Sequence, residues 1–492
     1  MRFFGKAPKL RERTEMYIYN SASRRKEVFT PREDGRVTIY TCGPTVYHFA
    51  HIGNLRTYAM EDVLEKYLRY LGYDVDRVMN ITDVGHLSSD GDTGEDKMLK
   101  GAKREHKTVM EIAQFYTDAF FADCKKLNIR IPDTVEPATN CIPEFIDMVE
   151  TLLKKGYAYE AGGNIYFDTS KLEKYYVFND FEEEDLAVGV RESVEEDGNK
   201  KNKADFVLWF TKSKFDDQEL KWPSPWGIGY PGWHIECSCI ARKHLGEYLD
   251  IHCGGIDNAF PHHTNEIAQS ESTFGHEWCK YWFHVHHLNT SSGKMSKSKG
   301  EFLTVSLLED KGYDPIVYRF FCLQSHYRKN LVFSWENLDN ARIAFDKLIS
   351  RVAQLDAKGE AIDSEAFDEG KKRFLTALDN DLNTSLAVTA LYDVFKLKCN
   401  DATKLALIAD FDKVLSLDLI EKASKLEKNE NKESGTEDID PVLLKYINEM
   451  IEARREAKRE KNFAEADRIR DELLAKGITL LDTREGTKFS IG

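Results

Sequence analysis

Four residues scattered along the chain have the chemistry to hold one metal ion: Cys42, Cys237, His262 and Glu266. Two thiolates, an imidazole and a carboxylate suit Zn²⁺, a borderline ion that accepts all three ligand types. His262 and Glu266 stand four apart in a helix expected to begin at Pro261, so both project from one helix face. Cys42 follows an expected strand, at the carboxyl edge where open α/β sheets bind ligands. Cys237 lies in an expected helix, Trp233–Leu245. Spacing alone leaves the set open, because Cys239, Cys253 and His263 offer the same kinds of donor nearby.

Two other segments carry groups suited to phosphates. His51-Ile52-Gly53-Asn54 stands between a strand and an amphipathic helix. The unpaired N–H groups and partial positive charge of a helix N-terminus favour an anion there, two side chains add donors, and Gly53 permits close backbone approach. Lys294-Met295-Ser296-Lys297-Ser298-Lys299-Gly300 places three lysines with interleaved serines in a loop between Gly293 and Gly300. Ammonium groups on such a loop can neutralise a departing polyphosphate.

The elements that must position these groups follow from the hydrophobic pattern. Arg36–Thr41 reads as a strand, and Met60, Val63, Leu64, Tyr67, Leu68 and Leu71 make one apolar helical stripe. Gly72 stands where a helix-terminating glycine is expected, and Asp74–Ile81 reads as a second strand. Strand, helix and strand form a βαβ unit, which implies a parallel sheet. The pattern then breaks from about Cys124 to Trp226 and resumes near Tyr230, with a strand at Tyr248–Cys253 and another at Tyr281–Leu288. A domain inserted between two halves of one sheet explains this order.

The expected division is a first catalytic half at 1–123, an inserted domain at 124–226, a second catalytic half with the lysine loop at 227–310 and a helical region at 311–420. A charged linker at 421–440 and a small C-terminal unit at 441–492 complete it. That last unit holds a basic run, Arg454–Lys461, followed by Phe463, groups that suit an RNA backbone and a base.

Composition sets the outer limits. The 492 residues are too many for one ordinary domain, and 41% hydrophobic content rules out disorder as a whole. A net charge of -15, from 69 basic and 84 acidic residues, argues against a generally cationic nucleic-acid coat. No apolar run reaches the ~18 residues that span a bilayer, and Met1–Lys6 has no long apolar stretch after its charges, so neither membrane nor secretion is expected. Nine cysteines without a signal read as thiols or metal ligands of a cytoplasmic protein.

Taken together, these segments resemble the cysteinyl-tRNA synthetases, a family of class I aminoacyl-tRNA synthetases, through nearly the whole chain. The resemblance is carried by Thr41-Cys42-Gly43-Pro44-Thr45-Val46-Tyr47, His51-Ile52-Gly53-Asn54, Asn80-Ile81-Thr82-Asp83 and Trp222-Pro223-Ser224-Pro225-Trp226-Gly227. It continues in Pro231-Gly232-Trp233-His234-Ile235-Glu236-Cys237-Ser238, Phe260-Pro261-His262-His263 with Glu266, and Lys294-Met295-Ser296-Lys297-Ser298. Asn54 replaces the last histidine of the family's HIGH signature, and Val84–Asp92 is longer than the shortest family versions, with His86 within it.

The resemblance implies an α/β fold: a Rossmann-type nucleotide-binding parallel sheet with an insertion, then a helical bundle and a small C-terminal domain. It implies L-cysteine and ATP as substrates, Mg²⁺ arriving with ATP, and tRNA(Cys) as acceptor, handled by a monomer whose insertion is not an editing domain. It places one zinc ion on Cys42, Cys237, His262 and Glu266, and the amino acid against Gly43, Thr82, Trp233 and His252. ATP falls to His51, Gly53, Asn54, Asp257, Lys294 and Lys297, of which His51, Asn54 and the two lysines serve catalysis. A ligase joining cysteinyl-adenylate to a small amine would share these motifs, but it lacks the C-terminal unit that this chain keeps.

Overall fold

An N-terminal hairpin, β1 (Tyr17–Asn20) with β2 (Arg25–Val28), leads into β3 (Arg36–Thr41), whose residues after Arg36 are all buried. Helix α1 (Ile52–Tyr70) follows and carries the apolar stripe expected from the sequence. Its N-cap is His51, its C-cap Leu71, and Gly72 turns the chain with φ +93°. β4 (Asp74–Ile81) then pairs parallel with β3, from Arg36 opposite Asp74 to Thr41 opposite Met79. The structure is a computed structural model. It describes residues 15–84, 108–178, 197–212, 219–290, 293–294, 303–433, 441–460, 462–483 and 486–491. His86 and most of Val84–Asp92 fall outside the described residues.

Helix α2 (Val109–Lys126) opens with a reciprocal capping box between Thr108 and Glu111. β5 (Thr134–Pro137) then joins the edge of the same sheet, parallel to β4. An insertion starting at 124 would therefore cut α2 and leave out a sheet strand. The chain departs from the parallel sheet only after Pro137. Helix α3 (Ile142–Lys155) packs on the catalytic side, and an antiparallel sheet follows. That sheet has the order β6 (Ala158–Ala161), β7 (Asn164–Phe167), β8 (Phe206–Phe210), β10 (Gly227–Pro231), β9 (Trp222–Ser224).

β10 leads through Gly232 into helix α4 (Trp233–Leu245), as expected, and β11 (Leu249–Gly255) enters the parallel sheet beside β3. The chain kinks at Phe260, whose φ of -139° and ψ of 131° are extended, before α5 (Thr264–Phe274), where a plain helix from Pro261 was expected. β12 (Cys279–Val285) completes the parallel sheet in the order β12-β11-β3-β4-β5. Successive strands run outward from β3 in one direction and from β11 in the other. The switch point therefore lies between them, and ligands bind at its carboxyl edge.

Lys294, expected in a loop, lies on β14 (Gly293–Lys294), paired with β13 (Leu288–Thr290); Lys297 falls outside the described residues. Helices α6 (Val305–Asp310) and α7 (Pro315–Leu323) come next, and β15 (Leu331–Phe333) pairs parallel with β13. The bundle α8 (Trp335–Ala353), α9 (Ser364–Asp379), α10 (Thr384–Val394) and α11 (Asp401–Leu415) matches the expected helical region.

The expected linker from 421 is instead helical at first. α12 (Leu419–Glu433) packs on α8 with Leu419 and Ala423 buried, and Glu421 pairs with Lys425 at 2.6 Å. Two buried apolar anchors on one face were enough to dock a charged segment. The C-terminal unit pairs α13 (Pro441–Arg459) with α14 (Phe463–Ala475) and a hairpin, β16 (Ile478–Thr483) and β17 (Gly486–Ile491).

A buried charge network fastens α1 to the sheet. Arg77 donates to Glu65 at 3.0 Å, to Glu61 at 3.3 Å and to the Thr41 hydroxyl at 3.0 Å, with all three charged side chains fully buried. One guanidinium serves two carboxylates. Burial raises the Glu61 carboxyl to about 8 against the pull of Arg77. Its folded pKa thus lies above its unfolded value, so its contribution to stability is present in acid and lost as pH rises towards 8. Glu61→Gln is expected to leave the urea midpoint little changed at pH 5 and to raise it at pH 9.

Candidate active site

Cys42 stands one residue past the end of β3, with its N–H on the Cys253 carbonyl at 3.3 Å. Its backbone is pinned further by the Tyr58 hydroxyl, which donates to the Cys42 carbonyl at 3.2 Å. Gly43 follows because nothing larger fits: a Cβ there would lie 1.6 Å from the Asn80 carbonyl oxygen. The Gly43 N–H donates to the Asn80 side chain at 2.7 Å. α4 brings Cys237 to the same place, and the turn into α5 brings His262 and Glu266.

The donor atoms converge. Cys42 Sγ lies 3.8 Å from Cys237 Sγ and 3.8 Å from Glu266 Oε1, while His262 Nε2 lies 3.4 Å from Cys237 Sγ and 3.1 Å from Glu266 Oε1. A tetrahedral zinc site has edges of about 3.8 Å between sulfurs, about 3.5–3.6 Å from sulfur to nitrogen or oxygen, and about 3.4 Å from nitrogen to oxygen, given the ordinary bond lengths. The observed spacings match these within a few tenths of an ångström.

A second group, Cys42, His252, His263 and Glu266, is also close enough to share an ion. It fits less well. His252 Nε2 is already hydrogen-bonded to Glu266 Oε2 at 2.8 Å, and His263 Nε2, though 3.2 Å from Cys42 Sγ, stands 4.0 Å from Glu266 Oε1, against 3.1 Å for His262. His252 and His263 therefore read as groups that orient the carboxylate and wall the site. Cys239 points elsewhere, to the Glu144 carbonyl at 3.5 Å.

The electrostatics favour a cation. Burial opposes ionisation of Glu266, but His252 and His262 outweigh it and hold the carboxyl down to about 2. Burial likewise opposes the Cys237 thiolate, yet the hydrogen bond from Cys42 and the charge of His262 bring it down to about 6. Burial alone would lower His262, but Glu266 and Cys237 push it up to about 10. Surroundings that retain a proton on a buried imidazole will also welcome a divalent ion. His234 Nδ1 lies 2.9 Å from His262 Nδ1, a contact that fixes the ring and leaves Nε2 facing the sulfur.

Cys42 and His262 form part of the wall of a cleft of about 340 Å³ at the switch point, while Cys237 and Glu266 lie behind them. Gly43, Trp233, His51, Asn54 and Asp257 also line it, and the Trp233 ring sits 4.3 Å from that of His262. His51 Nδ1 accepts from the Asn54 N–H at 3.2 Å, so the ring proton belongs on Nε2.

Other expected site residues stand further back. Thr82 is buried, accepting from Asn80 at 3.0 Å and donating to Glu236 at 2.9 Å. His252 is fully buried behind Glu266, and Gly53 belongs to the first turn of α1 without lining the cleft. Tyr47, Phe49, Tyr116 and Phe120 also line the cleft. No spacing in the sequence singled them out, because α2 meets the Val46–Ala50 loop only in the folded chain.

A parallel sheet split by an insertion, with a helix N-terminus at its switch point and a lysine-bearing hairpin after its last strand, is the architecture of a class I aminoacyl-tRNA synthetase. Residues 28–343 match the family model described as the tRNA synthetases class I (C) catalytic domain. The methionyl-tRNA synthetase of Mycobacterium tuberculosis, solved with methionyl-adenylate, superposes with a TM-score of 0.54 at 16% identity over 79% of this chain and 92% of that one, and shares the fold. The cysteine–tRNA ligase of Treponema denticola is 45% identical over 94% of this chain and 97% of its own length, and that of Borreliella burgdorferi 42% identical over 96% and 99%. The chain belongs to the cysteine–tRNA ligase family. No described helix is long and apolar enough to cross a membrane.

Proposed function

We propose that the chain joins L-cysteine to ATP as cysteinyl-adenylate and passes the cysteinyl group to the 3′-terminal adenosine of tRNA(Cys). One observation carries the selectivity: two thiols, an imidazole and a carboxylate at tetrahedral spacing beside a cleft that ends at His51 and Asn54. Cys42, Cys237, His262 and Glu266 would hold one Zn²⁺. A bound zinc ion supplies a soft acceptor for the substrate thiolate, which the harder, weakly acidic hydroxyl of serine does not match.

The protein needs no nucleophile of its own, since the substrate carboxylate attacks the α-phosphorus of ATP and pyrophosphate departs. Its residues act by positioning and by neutralising charge. His51 Nε2 and the N-terminus of α1 face the phosphates, Lys294 and Lys297 meet the pyrophosphate, and Asp257 accepts from the ribose. Gly43 and Trp233 close on the amino acid, with Thr82 and His252 held behind them. Mg²⁺ enters with ATP, and the chain works as a cytoplasmic monomer.

ATP–pyrophosphate exchange tests the reading. Exchange is expected with cysteine, and with serine it should fall by more than about 200-fold, the ceiling for pockets that discriminate by one methylene. Equal exchange with both amino acids would end the metal-based account.

The helical region after Lys311 is assigned to the tRNA stem and residues 441–492 to the anticodon. Phe463, 63% exposed, is available to a base, whereas Arg454 is buried and Arg455 and Arg459 pair with Glu452 and Glu456. Truncation after Glu433 keeps α12 docked. It is expected to reduce charging of tRNA(Cys) at least about tenfold, through lost RNA contacts, while cysteine-dependent exchange stays near that of the full chain.

A further inference from the structure

Arg56 lies in the second turn of α1, two residues past Asn54, and its side chain is fully buried. A buried arginine is ordinarily matched by a carboxylate. Among the described residues no carboxylate pairs with this one. Its guanidinium donates instead to four backbone carbonyls: through Nη1 to His286 and to His287 at 2.7 Å, and through Nη2 to Lys329 at 2.7 Å and His326 at 3.4 Å.

Those carbonyls belong to two segments. His286 and His287 connect β12 to β13, the strand whose hairpin partner carries Lys294. His326 and Lys329 belong to the turn before β15, the other neighbour of β13. The segments are also tied to each other, since the His286 N–H donates to Tyr327 at 2.8 Å and the Leu331 N–H to His287 at 3.0 Å. Beside the apolar packing of Leu288 and Phe333, the small sheet β14-β13-β15 is thus fastened at its base by one side chain of the helix whose N-terminal end carries His51 and Asn54.

We propose that Arg56 is a positioning residue for adenylation: by gripping both segments it sets the lysine-bearing hairpin in register with the phosphate-facing end of α1. The two phosphate-handling elements lie more than 200 residues apart in sequence, 240 from Asn54 to Lys294, and pyrophosphate must meet both at once. A fork of fixed geometry suits four acceptors in two directions, whereas a lysine ammonium has three donors on a flexible stem. Misplacing a catalytic group by about 1 Å can cost about 10²-fold in rate. The inference rests on the adenylation reading above.

The test compares full-length wild type, Arg56→Lys and Arg56→Met. Wild-type exchange with cysteine checks the adenylation reading first, independently of Arg56. The lysine variant keeps the charge and loses the fork. Both variants are expected to lower kcat of ATP–pyrophosphate exchange by about 10²-fold, with zinc content and the KM for cysteine unchanged. Transfer from supplied cysteinyl-adenylate to tRNA(Cys), which releases no pyrophosphate, should keep its wild-type rate. Wild-type exchange in the lysine variant overturns the proposal, leaving charge alone as the role of Arg56. Equal losses in exchange, transfer and zinc content overturn it as well, by making the residue merely structural. Should a variant fail to fold, hydrogen exchange of the wild type decides. The amides of Leu288–Thr290 should open as slowly as those in the middle of α1, and opening orders of magnitude faster would refute the clamp.

Discussion

Replacing Cys237 with serine, or His262 with alanine, is expected to empty the metal site and reduce cysteine-dependent ATP–pyrophosphate exchange by at least about a thousandfold. Changes to groups that merely orient a ligand already cost about 10–100-fold in metal affinity, so the loss of a ligand must exceed that. Cys237 lies 3.8 Å from one sulfur and 3.4 Å from an imidazole nitrogen, and a serine oxygen would neither reach as far nor ionise as readily. Metal content, measured on the purified variant, should drop to background while the far-ultraviolet circular dichroism stays that of the wild type. The fold survives because the surrounding helices are held by the two large apolar clusters of the catalytic domain, not by the ligands alone. A metal-free variant that still exchanged pyrophosphate in response to cysteine would refute the role given to the site.

The second large effect concerns stability. Arg319, in α7, donates to Asp62 of α1 at 2.7 Å, to the Leu127 carbonyl past α2 at 3.0 Å, and to the Leu415 carbonyl at the end of α11 at 2.7 Å. Both charged side chains are fully buried. Arg319→Ala would leave Asp62 with Lys66 at 2.8 Å as its remaining cation and three carbonyls, those of Leu127, Asn128 and Leu415, without this donor. Breaking a buried pair from one side costs about 3–5 kcal/mol, and the loss should appear in the first urea transition. The dependence on pH follows from Asp62. Burial would raise its carboxyl, but Arg319 and Lys66 outweigh that and hold it below its ordinary value. Its folded pKa lies below the unfolded one, so the pair stabilises above about pH 4 and fades as pH falls further. The deficit of Arg319→Ala should therefore be largest at neutral pH and shrink in acid. A deficit independent of pH would mean that lost packing, not charge, was responsible.

Much of this architecture was legible in the sequence because its signals are local. The α1 stripe, the turn at Gly72, β4 and the span of α4 needed only periodicity and one glycine each. β5 escaped notice because Thr134–Pro137 is four half-buried residues at a sheet edge, too short to show a period. α12 read as a linker because a charged helix docked by few apolar residues has the composition of a solvated coil. The metal quartet illustrates a different limit. Donor types and spacing admitted Cys239, Cys253 and His263 equally, and the family resemblance, not periodicity, selected among them. Folding separates these groups by direction and distance: Cys239 turns towards α3, while His263, with Nε2 3.2 Å from Cys42 Sγ, stands 4.0 Å from Glu266 Oε1. Those directions depend on how α4 and α5 rotate against the sheet, which no local pattern encodes.

The junction between the inserted sheet and α4 has a further consequence. Gly232 donates its N–H to the Leu208 carbonyl at 2.9 Å, and a Cβ there would come within 2.1 Å of the Val207 carbonyl oxygen. The next residue is Trp233, against the His262 ring. The insertion is thus not an appendage that drift could reshape at will. Its root shares one hinge point with the cleft wall at Trp233, so a substitution at that root should register as an altered preference among amino acids in the exchange assay before it registers as misfolding.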